Sequence, residues 1–406
     1  EEKEVQQGYP WVFDNEISHV KHRKDEKSEW KNEDLASCTV SDGSVVEVYT
    51  KAGGFLGTGV INRKSKITIR LISSEHADQV LADTYAFYQE KVQSAVDLRS
   101  LYYSELDSYR LIFGEADFIP GFICERFCDE ENRIFLVVQF LSLSCEIFRK
   151  EILAALKKIC QPDGIYERSD TSVRDKEGLA QVSGWIGQEF DTNITIIEND
   201  IKLGVDIANG QKTGYFLDQK FNRAAAAKFC QNKKVLDTFT HTGAFGLNAF
   251  NSGAKEVISV DISPEAVEMV NRNIKLNHAE KKMKGVCADV FDLLKKYEAD
   301  GEKFDVIILD PPAFTKSAKM IEKAYGGYKE INLRAMRLLN KGGILITCSC
   351  SYFMEVHMFC DMLMHAAMDS HKRVQILEKR GAGPDHPVLV GYPKSEYLKC
   401  IICKID

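Results

Sequence analysis

From Gly214 onward, short apolar runs alternate with helical patterns, an order that leaves few folds open. Lys234 to Phe239, Glu256 to Asp261, Met283 to Asp289, Phe304 to Asp310 and Gly343 to Ser349 each read as a buried strand, with helices in most of the intervals. Parallel strands need long crossover connections, and helices are the usual ones, so this alternation predicts a doubly wound α/β sheet. One junction is explicit: Ser263 followed by Pro264 reads as an N-cap and a first-turn proline. Arg373 to Lys379 and Tyr397 to Lys404 are further strands with no strong helix between them, and an antiparallel pair at the sheet edge is expected.

Upstream the pattern changes. Ser44 to Tyr49, Gly54 to Asn62 and Lys66 to Leu71 are short β patterns separated by turns at Asp42-Gly43 and Ala52-Gly53-Gly54, as in a small β-barrel-like unit. Arg63, Lys64, Lys66 and Arg70 cluster in and beside the last of these strands, either as a lysine-guarded edge or as contacts to an RNA backbone. Ala77 to Tyr102 has apolar residues at helical spacing and predicts one long amphipathic helix. Strand and helix signals mix between 108 and 190, and Thr192 to Ile207 reads as a hairpin split at Glu198-Asn199-Asp200. The expected organisation is residues 1–72, a central α+β segment 73–190 with its linking helix, and the α/β domain 191–406.

Totals narrow the class. A chain of 406 residues exceeds what one core usually serves. The net charge of -7 argues against a surface coated with nucleic-acid-binding charge but leaves a local basic face open. Twelve cysteines without a short repeated framework read as reduced thiols. With no signal-like start and no membrane-length apolar run, a cytoplasmic protein without a membrane partner is expected. Cys400 and Cys403 have C-x-x-C spacing but no second pair, so no metal is expected there.

The chemistry sits where the α/β strands end. Asp237, Asp261, Asp289 and Asp310 each stand at or near the carboxyl end of one of four consecutive strands, where ligands of open parallel sheets bind. Any one of them could instead be a helix N-cap. After Asp237 come Thr238-Phe239-Thr240-His241-Thr242-Gly243, in which a glycine lets backbone approach a ligand at a helix start. The stretch is neither a GxGxxG fingerprint nor a phosphate loop, which weakens dinucleotide and ATP readings. Asp310-Pro311-Pro312 follows the fourth strand and Cys348-Ser349-Cys350 ends the fifth, so a carboxylate and a thiol face one pocket.

Taken together, Asp237 to Gly246, Val260 to Pro264, Asp310 to Phe314 and Ser349-Cys350-Ser351 resemble the class I S-adenosylmethionine-dependent methyltransferases. They look most like the rRNA large-subunit cytosine-C5 methyltransferases of the RlmI type, and Tyr166 to Asp170 and Gly210 to Gln219 extend the likeness over nearly the whole chain. The resemblance implies a PUA domain, a central α+β domain and a Rossmann-like methyltransferase domain, with S-adenosylmethionine as cofactor and large-subunit rRNA as partner; a homodimer stays open. It implies that Asp237, Thr242 and Gly243 line the methionine end of the cofactor, that Asp261 holds the ribose and that Asp289 sits by the adenine. Tyr215 and Phe216 would wall the pocket, and the cluster Arg63, Lys64, Lys66 and Arg70 would serve RNA binding. His241 stands where a tyrosine is usual in the family, and Ala313 where a larger residue is common.

That chemistry needs a thiol, because C5 of cytosine is a poor nucleophile until a thiolate adds at C6. Asp310 would hydrogen-bond near N3 as the adduct forms. Cys348 and Cys350 point the same way on a strand, with Cys350 about 6 to 7 Å further out, and the family's Ser-Cys-Ser falls on Cys350. Cys350 is therefore the expected nucleophile. The alternatives are a methyltransferase acting on a purine of rRNA and a non-catalytic RNA-binding assembly factor.

Overall fold

The computed structural model describes residues 2–23, 27–210, 213–315 and 317–406. The chain forms two compact units, the first from Glu1–Thr192, Asp206–Tyr215 and Pro384–Ser395, the second from Asn193–Val205, Phe216–Gly383 and Glu396–Asp406.

In the first unit an antiparallel four-stranded sheet takes the order Trp11–Phe13, Ile67–Ser73, Phe55–Ile61, Val45–Tyr49. Val12, Ile61 and Ile69 form its small core. A second, five-stranded sheet contains Tyr109–Phe113, Phe122–Cys128, Ile134–Phe140, Gly164–Ser169 and Val182–Trp185, with only Ile134–Phe140 and Gly164–Ser169 pairing parallel. The single helix expected over 77–102 is two, Ala77–Ala82 and Thr84–Ser100. Asp83 breaks it: its extended backbone leaves the helix, and its carboxylate caps the next one by accepting from Ala86 N at 2.9 Å. Arg99 at the far end of that helix is fully buried, its guanidinium forked onto Asp117 and the Asp385 carbonyl.

The second unit opens with the expected hairpin, Asn193–Glu198 and Ile201–Asp206. Asn199 and Asp200 both take positive φ, 51° and 62°, which matches the twist of a two-residue turn. A seven-stranded sheet follows, with β1 Lys234–Thr238, β2 Glu256–Asp261, β3 Met283–Cys287, β4 Phe304–Leu309, β5 Leu339–Ser349, β6 Val374–Arg380 and β7 Lys399–Ile405. Its order is β3-β2-β1-β4-β5-β7-β6. The first five strands pair parallel, while β7 runs antiparallel to both β5 and β6. Helices α1 Ala244–Asn251, α2 Pro264–Leu276, α3 Val290–Ala299, α4 Ile321–Leu338 and α5 Val356–Ser370 fill the crossovers. The last two strands pair antiparallel as expected, but β7 lies inside and β6 forms the edge. Burial explains the order: nearly all of β7 is buried, whereas β6 has no buried residue and mixes half-buried with exposed ones such as Glu378 and Lys379.

Leu236, Ile307, Leu309 and Leu345 of the sheet pack with Tyr328, Ile331 and Met336 of α4 and Phe359 and Met362 of α5 in one core. The helix Lys220–Ala227 ties the hairpin to the segment before it through Arg223. That buried guanidinium donates to Glu198 Oε1 and Oε2 at 2.6 and 2.9 Å and to the Phe216 carbonyl at 2.9 Å. Arg223→Met strips a buried Glu198 of its guanidinium and is expected to destabilise the second unit by about 3–5 kcal/mol, read as a lowered midpoint in urea unfolding.

Candidate cofactor and active site

Asp237 lies fully buried in β1, and its surroundings divide its two oxygens. Oδ2 accepts from Ser259 Oγ and Gly246 N, each at 2.9 Å, and from Thr240 Oγ1. Oδ1 is buried and has no hydrogen-bond partner. Burial raises the Asp237 pKa to about 6 against the pull of these three donors. A buried acceptor left open is costly, so the site is shaped for a donor from outside the chain.

The turn after β1 supplies the approach. Phe239, His241 and Gly243 all take positive φ (56°, 53° and 84°), an arrangement costly for the two non-glycine residues and common where backbone is bent around a ligand. Gly243 is the residue before α1, and a Cβ there would press on Val270 at 3.3 Å. Thr242 is buried beside it, its carbonyl accepting from Asn273 Nδ2 at 2.8 Å. Gly246 is tighter still: a Cβ would come within 2.3 Å of Ser259 Oγ and 2.9 Å of Asp237 Oδ2.

Asp261, half-buried at the end of β2, accepts from His241 N through Oδ2 at 2.9 Å and from Ser263 N through Oδ1 at 3.1 Å. Each oxygen keeps a second lone pair, so the carboxylate is oriented and can still accept two hydroxyls. Asp289 is exposed and caps α3, with Oδ1 accepting from Phe291 N at 2.8 Å and Asp292 N at 3.3 Å. The N-cap alternative thus describes its contacts within the chain. Phe216 sets its ring edge-on to His241, centroids 4.9 Å apart, while Tyr215 is buried and belongs to the first unit.

Asp310 stands one residue beyond β4. Its Oδ1 accepts from Gln219 Nε2 at 2.9 Å. Gln219 Oε1 in turn accepts from Asn222 Nδ2 at 2.7 Å, and Asn222 Oδ1 from Arg380 Nε at 2.9 Å, a chain that aims the glutamine amide N–H at the carboxyl group. Burial raises the Asp310 pKa to about 7, with the nearby Asp218 carboxylate adding to the rise and Arg223 opposing it.

The two cysteines of β5 and its turn differ sharply. Cys348 is fully buried opposite Cys400, whose thiol together with burial holds the Cys348 pKa well above the ordinary thiol range. Cys350 lies just past the strand and is half-buried, its Sγ 4.0 Å from the Pro311 carbonyl of the loop after β4. Its neighbours Ser349 and Ser351 are buried, and each meets the Tyr328 hydroxyl at 3.0 Å.

The structure therefore assembles Asp237, Thr242, Gly243 and Asp261 about one turn, and brings the loops of Asp310 and Cys350 together. Residue patterns single out no role for Ser259 or Tyr328, which come from the neighbouring strand β2 and from α4. Thr240 and Gly246 lie inside the Asp237 to Gly246 motif and Gln219 closes the Gly210 to Gln219 motif, so the sequence offered a signal for them. Of that motif, Gln211 and Lys212 lie outside the described residues. Gly210 instead accepts from Arg168 Nη1 at 3.1 Å, joining the two upstream motifs within the first unit.

The basic cluster of the first unit splits. Arg63, Lys64 and Lys66 are exposed, with Arg63 paired to Asp42 at 3.0 Å and to the Cys38 carbonyl at 2.7 Å. Arg70 is a correction: it is buried, with its guanidinium on Glu177 at 2.8 Å and Glu115 at 3.3 Å, and is not on the surface for an RNA backbone. Its strand position points inward, toward the residues around Glu177.

Comparisons with known proteins bear on the whole chain. Residues 173–392 match the family model of S-adenosylmethionine-dependent methyltransferases, and residues 1–74 match a PUA-like domain. The ribosomal RNA large subunit methyltransferase I of Photobacterium profundum is 39% identical over 100% of this chain and 97% of its own. That of Escherichia coli O139:H28 is 36% identical with the same coverage of both. A solved structure assigned to the SAM-dependent methyltransferases, from Streptococcus mutans, superposes with a TM-score of 0.79 at 25% identity over 99% of this chain and 97% of that one. Another solved methyltransferase, complexed with SAH, shows the same fold at a TM-score of 0.80 and 24% identity, covering 99% and 97%. Among the described residues no helix is long and apolar enough to cross a membrane, and no group of three or more His, Cys, Asp or Glu could hold a metal ion.

The open Asp237 oxygen and the close backbone at Gly243 and Gly246 fit a ligand carrying an amino group. A carboxyl with pKa about 6 is protonated below that value and loses its charge there. Affinity for S-adenosylmethionine, measured by calorimetry, is therefore expected to be flat above pH 6 and to fall about tenfold per unit below it. Gly246→Ala, which pushes on the Asp237 carboxylate, is expected to weaken that affinity about tenfold or more at pH 7.5.

Proposed function

We propose, from the premise that this chain belongs to the S-adenosylmethionine-dependent methyltransferase family, that it methylates C5 of a cytosine in large-subunit rRNA through a covalent adduct with Cys350. The observation that carries this reading is the pairing of a half-buried thiol with a carboxyl group of pKa about 7 on loops in contact, Cys350 Sγ lying 4.0 Å from the Pro311 carbonyl beside Asp310. A purine amino group would need no thiol. The full-length similarity to ribosomal RNA large subunit methyltransferases supports the substrate class.

When bound, S-adenosylmethionine would supply an electrophilic methyl group to C5 and, as its sulfur–methyl bond breaks, would leave as S-adenosylhomocysteine. Asp237 Oδ1 would accept from its amino group, Asp261 from its ribose hydroxyls, and Thr242 and Gly243 would line the methionine end. Asp289, already capping α3, would flank the adenine, and Phe216 would form part of the wall.

A flipped cytosine enters against the stiff Pro311-Pro312 loop. Cys350 Sγ forms a bond to C6, and the C5–C6 π electrons move so that C5 becomes nucleophilic while N3 gains basicity. Asp310, protonated in part of the population near pH 7, gives its proton to N3 and so offsets charge as the adduct forms. Methylated C5 then loses its proton to a base, the C5–C6 double bond re-forms and the thiolate leaves. Asp310 recovers its proton from N3, which closes the cycle. The exposed Arg63, Lys64 and Lys66 of the PUA-like domain hold RNA by its phosphates.

The deciding experiment incubates deproteinised large-subunit rRNA with the chain and labelled cofactor and identifies the modified nucleoside. 5-Methylcytidine is expected. Label on a purine, or no label on any RNA, overturns the reading. Cys350→Ala is expected to abolish turnover with cofactor affinity nearly unchanged by calorimetry. Asp310→Asn is expected to lower kcat/KM about 10²–10⁴-fold. The sign of the Asp310 shift sets the pH profile: the proton is present below about 7 and lost above, so kcat/KM should decline through that pH in the parent chain and lose this limb in Asp310→Asn.

A further inference from the structure

The turn that carries Cys350 is clamped from two sides. The Tyr328 hydroxyl, from α4, meets both Ser349 Oγ and Ser351 Oγ at 3.0 Å. From β7, Lys399 reaches across: its Nζ donates to the Ser351 carbonyl at 2.6 Å and to the Tyr397 carbonyl at 2.7 Å. Lys399 is the register partner of Ser349 on the neighbouring strand, so its stem begins beside the end of β5. The residues before and after Cys350 are thus fixed, and the thiol between them is the one side chain of the three left half-exposed.

A buried lysine is unusual, and Lys399 is only 4% exposed. Two carbonyls occupy two of its three N–H groups and leave one. No carboxylate pairs with it at salt-bridge distance among the described residues. A buried ammonium held this way calls for a negative partner, and Cys350, the residue before the carbonyl that Lys399 holds, can acquire a negative charge in the reaction.

We propose that Lys399 is the positioning residue for Cys350, its ammonium anchoring the Ser351 carbonyl and lending positive charge to the thiolate. This rests on the reading of Cys350 as nucleophile. The electrostatics agree in direction: burial lowers the Lys399 pKa to about 8, while charge on Cys350, Glu396 and Glu355 works to raise it. Glu396 lies shortly before β7 and Glu355 immediately before α5, and both are exposed, so solvent screens their share. Tyr328, the titratable group facing the turn from α4, has its pKa raised by burial and stays a neutral hydroxyl. Lys399 is therefore charged below about pH 8 and neutral above it, so the pair operates around neutrality, where an ordinary thiol is mostly protonated.

The test is the pH profile of Cys350 alkylation by iodoacetamide in the full chain, read at the Cys350 peptide by mass spectrometry. In Lys399→Met the midpoint is expected to rise by about one pH unit, with alkylation at pH 7.5 slowed several-fold. Lys399→Arg, which keeps the charge, is expected to restore most of the parent midpoint. An unchanged midpoint in Lys399→Met that still binds S-adenosylmethionine overturns the proposal. Should that variant not fold, the parent chain decides by itself: a Cys350 midpoint at or above about 8.5, the ordinary thiol value, overturns it too. Trapping on 5-fluorocytidine-substituted rRNA separates the two readings. An adduct on Cys350 with no midpoint shift sinks Lys399 alone, whereas a shift with no adduct sinks the nucleophile reading and leaves the charge pairing standing.

Discussion

Parallel pairing of β1 with β4 and of β4 with β5 puts three strand ends side by side, and the rest of the second unit hangs on that register. Asp237, Asp310 and Cys350 come from positions far apart in the chain, yet each lies within two residues of one of these ends. The strands behind these ends are sealed by the core of Leu236, Ile307, Leu309 and Leu345, and in such a sheet ligands bind beyond the carboxyl ends of the strands. The helix α4 is a consequence of the same pairing, being the crossover that the parallel strands β4 and β5 require. Tyr328 shows the economy of the arrangement: it packs in the core and its hydroxyl holds the turn of Cys350.

The electrostatics of the site follow from desolvation more than from charge pairing. Both Asp237 and Asp310 have raised pKa values, and in each case burial is the largest cause. They differ in what surrounds them. Asp237 has three donors on one oxygen and none on the other, which suits a cationic donor arriving from solution. Asp310 has a single donor, Gln219, and a negative neighbour in Asp218, which favours the protonated form. Desolvation thus raises both carboxyls, and only Asp310 has Asp218 among the charges that raise it further.

Local pattern made much of this legible. The strand of Glu256 to Asp261, the N-cap Ser263 with Pro264, and the hairpin around Asn199-Asp200 were all readable because each depends on neighbours in sequence. Asp83 was missed because a cap inside an otherwise unbroken apolar periodicity looks like one more polar position. Arg70 misled for a related reason. A basic residue in an edge-like strand is expected at the surface, and only the placement of Glu115 and Glu177, 45 and 107 residues away, turns it inward.

The sequence by itself determined the alternation of elements, the acidic residues at strand ends and the separation of a β-rich amino-terminal segment from an α/β domain, since propensity, periodicity and turn chemistry act over a few residues. Only the tertiary structure decided that β7 enters the sheet inside β6, that Cys348 is sealed against Cys400, and that Tyr328 and Lys399 converge on the turn of Cys350. Those outcomes depend on burial and on pairing between distant segments. Their free energies are realised only when the sheet closes around them, so no local stretch of the chain encodes them alone.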